Sequence, residues 1–231
     1  MQTQQTTPRT FDTPAPIAAV LDIPAGQIRL IAADRADTTV EILPADPAKS
    51  RDVKAAEQIQ VAYGDGVLRI EAAPARNRIL GSGSGAVEVT VQLPAGSRVE
   101  AKAAAAGFRG VGRLGDVTFE GAQGSVKLDE TAGTRLTLLA GDIAVGRMGG
   151  PAEISTQQGD IRITEALHGT VTLRTEHGDI EIGAAHGASA SLDAGTGYGR
   201  IHNALNNTDG AAAGLTIHAT TAYGDITARS L

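Results

Sequence analysis

The 231-residue chain has no cysteine and no tryptophan, and aromatic residues make up only 3% of it. Without cysteine there is neither a disulfide framework nor a thiolate metal site, which fits a reducing compartment. With so few rings, the core must be filled by Val, Ile, Leu and Ala. No apolar run reaches about 18 residues, so no membrane span is expected. The opening MQTQQTTPRTFDTP lacks a basic start, an apolar stretch and a small-residue cleavage site, so it does not read as a signal peptide. As written the chain points to the cytoplasm, with a surface location left open. Basic clusters are missing as well. The net charge is −6, and nucleic acid, whose phosphates need a cationic face, is not an expected partner.

Glycine, by contrast, is abundant at 29 residues, and its spacing carries the architecture. One column comprises Gly107, Gly124, Gly141, Gly159, Gly178, Gly199 and Gly224, with steps of 17, 17, 18, 19, 21 and 25 by subtraction. A second column, Gly96, Gly115, Gly133, Gly150, Gly169, Gly187 and Gly214, falls midway between members of the first. The period is therefore about 18 residues, made of two half-turns of about nine. After most glycines comes a short alternating strand such as GDIAV, GDIRI or GDIEI. Ile161 and Ile163, or Ile180 and Ile182, alternate there with Arg162 or Glu181, one face in and one face out.

A half-turn of about nine residues is too short for a helical crossover, so same-direction strands must stack as a coil. The expected fold class is all-β: a parallel β-solenoid, β-helix-like, of two-strand rungs, right-handed by crossover preference. Roughly six or seven rungs are expected from the glycine columns. Residues 1–9 form a polar tail that need not be ordered. Residues 10–93 depart from the rung pattern and read as an antiparallel β cap, with GDG at 64–66 closing a hairpin. Residues 94–231 carry the repeats, continuous with the cap as one domain. The far end has no such cover. The chain finishes GDITARSL inside what reads as the last rung, an open strand edge that invites a second copy or another protein.

The repeated GDI strands, the TFDTPAPI opening, the stretch IPAGQIRLIAADRADTTVEI and the closing TGYGRIHNAL and TTAYGDI elements follow one another in a specific order. In that order they resemble a bacterial family of candidate adhesins, the toastrack family, in its actinobacterial, soluble type, from about Thr10 to Arg229. The resemblance implies a parallel β-helix-like fold, no established enzymatic activity, and surface or envelope-stress settings for some members.

Candidate sites are few. Asp142, Asp160, Asp179 and Asp225 share one corner of successive rungs, an arrangement that invites calcium. Each corner offers one carboxylate, Arg200 interrupts the column, and an Asx-turn hydrogen bond accounts for an Asp without a metal. His168 and His186, 18 apart by subtraction, should stack at one corner and are the candidates for a transition metal, although no third ligand stands at a suitable spacing. His177, His202 and His218 fall on other corners or faces. Tyr198 and Tyr223 take equivalent positions before two rungs and should stack. They are candidate interaction residues, as are Ile79 and Leu80 in the loop RNRILGSGSGA, which otherwise reads as a linker. Thr170, Thr172 and Thr175 hint at an ice-binding ladder, but Arg174 breaks its flatness.

Neither a nucleophile elbow nor a metalloprotease motif appears. No cofactor is expected. The sequence therefore favours a non-catalytic interaction scaffold that self-associates or binds a protein partner. The alternative is a carbohydrate-binding or carbohydrate-active β-helix protein using Glu176, Asp179 and Glu181.

Overall fold

Side chains at the inward positions of successive strands line up in columns, and those columns define the molecule. The computed structural model describes residues 8–72 and 85–231. In chain order the strands are β1 (Arg9–Asp12), β2 (Ala18–Asp22), β3 (Ala25–Ala33) and β4 (Asp37–Pro44), then helix α1 (Ser50–Glu57). There follow β5 (Ile59–Gly64), β6 (Val67–Ala72), β7 (Val87–Pro94), β8 (Arg98–Leu114), β9 (Val117–Gln123) and β10 (Val126–Thr131). Next come β11 (Thr134–Ala140), β12 (Ile143–Met148), β13 (Ala152–Gln158), β14 (Ile161–Ala166), β15 (Gly169–His177) and β16 (Ile180–Ala184). The last are β17 (Ala190–Tyr198), β18 (Ile201–Ala204), β19 (Leu215–Tyr223) and β20 (Ile226–Ser230).

The expected parallel solenoid is what forms. On one face β9, β11, β13 and β15 pair in parallel, and on the other β10, β12, β14 and β16 do the same. The long strand β8 belongs to both faces, its first half pairing with β9 and its second with β10. Val126, Ile143, Ile161, Ile180 and Ile226 form one buried column in direct register. Stacking is what makes each tier stable. About four buried aliphatic side chains, each worth roughly 1.5–3 kcal/mol, do not by themselves offset the ordering of about 18 residues.

Both ends differ from the order expected. Near the chain's start, β2 and β3 are not only a cap: they make a parallel tier that lies between β8 and the tier formed by β6 and β7. The antiparallel cover is there too, but consists of β4 on β7, β1 on β4, and β5 on β6. Near the chain's end, β19 pairs with both β15 and β17, and β20 with both β16 and β18. The final strands are thus inserted one tier in from the end. The outermost tier is β17 and β18, an internal segment held by the chain at both sides.

Candidate functional site at the open tier

A Thr-x-x-Gly pattern at the ends of β13, β15, β19 and β17 builds the corner beneath this site. Thr156, Thr175, Thr221 and Thr196 turn their hydroxyls toward the tier below and donate to Gly141 O, Gly159 O, Gly178 O and Gly224 O at 2.9–3.4 Å. Two residues after the glycine that closes each pattern, at Ile161, Ile180, Ile226 and Ile201, the chain enters the second face. Gly159, at φ +142°, shows why glycine is needed there, since a Cβ would run into the carbonyl of Gly141 in the tier below.

The aspartates form an unbroken ladder. The N–H of Asp160 donates to Asp142 Oδ1 at 2.9 Å, that of Asp179 to Asp160 Oδ1 at 2.8 Å, and that of Asp225 to Asp179 Oδ1 at 2.7 Å. Arg200 does not interrupt this column; it ends it. Its N–H donates to Asp225 Oδ1 at 2.8 Å, and its guanidinium holds Asp225 Oδ2 at 2.7 Å. Each carboxylate is spent on a backbone amide of the next tier, which gives the column a structural role. Asp160→Asn keeps the Oδ1 acceptor and should leave stability within about 0.5 kcal/mol, whereas Asp160→Ala should cost about 1 kcal/mol, both read by thermal unfolding.

The hydrogen bonds from the Arg200 side chain, and then from its backbone N–H, hold the Asp225 carboxyl below its ordinary value of 3.8. A carboxyl depressed in the folded state contributes stability above that ordinary value and loses it as pH falls through the folded value. The Arg200 amide should therefore exchange faster at pH 3 than at pH 5 after correction for intrinsic rates. Equal protection at both would contradict this.

Three rings stack up the same corner: Tyr223 lies on His177 with centroids 4.9 Å apart, and Tyr198 on Tyr223 at 5.0 Å, with interplanar angles of 9° and 4°. Tyr198 is outermost and 71% exposed. In the same tier Ile201 stands at the top of the buried isoleucine column yet is 45% exposed, and Leu192 and Ala194 are half-buried. Among the described residues no strand pairs with the outer edge of β17 or β18. Only its start is covered. Ala190 N–H donates to Asn206 O in the turn that follows β18, just as Leu215 N–H, one tier below, donates to Ser189 O. Asp209 N–H fastens the same turn to Ser189 Oγ at 3.1 Å.

A family model described as Toastrack DUF4097 matches residues 20–229. The chain belongs to the toastrack family. No curated protein matches the sequence. Among solved structures, this toastrack chain is similar to a candidate adhesin from Bacteroides fragilis, at 14% identity, a TM-score of 0.47 and 98% of each chain covered. It is similar to a candidate lipid-binding protein from Parabacteroides distasonis, at 12% identity, a TM-score of 0.49 and 95% of each chain covered. A candidate cell adhesion protein from Clostridium sporogenes is a third, at 11% identity, a TM-score of 0.38, and 97% and 99% of the two chains covered.

The other residues singled out in this toastrack chain lie apart from the open tier or are otherwise engaged. Glu176, Asp179 and Glu181 do not converge: Asp179 Oδ1 accepts the Asp225 amide, and Glu181 pairs across the second face with Arg162 at 2.9 Å. Thr175 is buried in the corner and so is unavailable to a flat outer ladder. His168 precedes β15 and His186 precedes β17, with β19 lying between those two strands. Among the described residues, no group of three or more His, Asp or Glu is placed to hold a metal ion. Ile79 and Leu80 lie outside the described residues. No described helix is long and apolar enough to cross a membrane. Sequence reasoning missed Arg200 as the ladder's terminus, and Leu192, Ala194 and Ile201 as edge residues. The lengthening glycine steps around Gly199 were the signal.

Proposed function

We propose that this toastrack chain is a non-catalytic scaffold that binds protein by strand addition at the open tier. The observation that carries this is the unpaired edge of β17 and β18, with Ile201 and Leu192 at core positions but only partly covered. Unpaired strand edges are templates for main-chain pairing, and alternate side chains supply selectivity. Neither β17 nor β18 carries the Lys or Pro that commonly blunts such an edge.

Amide exchange in the dilute chain tests it, with and without a synthetic peptide of the Leu215–Tyr223 sequence, LTIHATTAY, which already matches the inner side of β17. Leu192, Ala194, Thr196 and Ile201 should exchange freely in the chain alone, and Leu192, Ala194 and Thr196 of β17 should gain protection with the peptide. Slow exchange of these four amides in the dilute chain would sink the proposal, because the edge would then be satisfied from within.

A further inference from the structure

Resting on that reading of the open tier, we infer that its partner is a second copy of this chain, docked head to head about a two-fold axis with β17 antiparallel to β17. The first reason is the shape of what must be matched. The tier presents two edges, β17 on one face and β18 on the other. One extended segment pairs with one edge and leaves the other bare. Another open tier offers both at the same separation.

The second reason is the polarity of the edge. Backbone groups alternate in direction along a strand. Ser189 O points to the tier below and Ala190 N–H points away from it. By that alternation Leu192, Ala194 and Thr196 direct their N–H and C=O groups outward. They are symmetric about Ala194. An antiparallel pairing centred there sets Leu192 against Thr196 of the second copy and Ala194 against itself, so every outward donor meets an acceptor. Asp193, whose side chain is 84% exposed, then falls opposite Gly195, so no like charges are directly opposed.

Charge supplies the third reason. Asp209 sits over Ser189 at the start of β17, and Arg200, with its side chain 89% exposed, follows the strand's end. Antiparallel pairing brings the start of each β17 to the end of the other, so each Asp209 meets an Arg200. The opposite end of the molecule is a poorer match. Its outer strands β1 and β5 are bridged by Arg9 Nη1, which donates to Val61 O at 3.1 Å. The two-fold pairing is self-complementary, so it closes at a dimer instead of growing into a filament.

A register-specific crosslink tests the arrangement, since the natural chain has no cysteine. Asp193 and Gly195 of the two copies would be a non-hydrogen-bonded pair with Cα atoms about 4.5 Å apart, within disulfide reach. A side chain at Gly195 meets nothing within 4 Å. Asp193→Cys chains and Gly195→Cys chains are oxidised separately and as a mixture, with light scattering on the unmodified chain over a concentration series. The expected result is a dimer by mass and about tenfold more disulfide-linked dimer in the mixture than in either single variant. Equal crosslinking in all three samples, or none in the mixture, would overturn this register. A monomer at every concentration would overturn the self-pairing; if Leu192, Ala194 and Thr196 still exchange freely, the open edge survives with a different partner. Slow exchange of those amides in the monomer would remove both.

Discussion

Gly159→Ala should lower the thermal unfolding midpoint more than almost any other single-methyl addition to this protein. Two costs combine. The residue holds φ at +142°, where an L side chain is strained, and the new Cβ would collide with the carbonyl of Gly141 in the neighbouring tier. That carbonyl also accepts the Thr156 hydroxyl, so moving it disturbs the corner on two sides. The loss should be at least about 3 kcal/mol. In a chain of this size that corresponds to a drop of about 6–12 °C. Gly195→Ala is the matched control. Its φ is not in the left-handed region and its Cβ would enter open space, so its effect should stay within about 0.5 kcal/mol. Circular dichroism melts of the two variants decide the matter. Similar midpoints would mean that the corner gives way readily and that the glycine column is not a steric requirement.

The same column shows how far the sequence discloses the fold. A corner that brings the backbone of one tier against the next excludes a Cβ at the same place each time, so glycine recurs at the tier's own period. Strand alternation at Ile161, Ile163, Ile180 and Ile182 is equally local, and both signals were legible in one dimension. Tier order is not. Gly178 lies directly beneath Gly224, 46 positions later by subtraction, with Gly199 above them both. A period read along the chain assumes that consecutive repeats are neighbours. Here the turn after β18 carries β19 back beneath β17, and nothing in the residues of β19 distinguishes that placement from simple succession. The misplacement then spread to the candidate site. With tiers in chain order Arg200 breaks the aspartate column, whereas with β20 between β16 and β18 it terminates it. The open edge was expected, but at GDITARSL instead of at Leu192–Ile201. In the N-terminal part no Gly-Asp corner joins β2 to β3 or β6 to β7, and the Gly-Asp before β6 belongs to a hairpin, so the parallel pairing of these strands left little trace.

Phe119→Ala should be the costliest truncation in the core. The solenoid's interior is narrow, and the buried hydrophobic positions of its later tiers are filled by Ile, Leu, Val, Ala and Met. Beside β8 the filling changes: Phe119 stacks on Phe108 with ring centroids 4.8 Å apart, and both are almost wholly buried. Room for the pair comes from glycines at neighbouring inward positions. A Cβ at Gly121 would touch the Phe119 ring at 2.8 Å, and one at Gly110 would press on Leu128 and Leu114. The two rings therefore occupy space that aliphatic side chains fill in other tiers. Removing one ring leaves a void walled by backbone ladders on both faces, which cannot close without breaking parallel register. The expected loss is about 3–5 kcal/mol, toward the upper part of the range for such truncations. Phe108→Ala combined with Phe119→Ala should cost less than the sum of the single changes, because the rings share one contact and one cavity. Urea unfolding of the three variants gives the coupling directly. A Phe119→Ala loss below about 1.5 kcal/mol would mean that the tiers collapse onto the gap, and that the solenoid's width is set by its side chains more than by its backbone ladders.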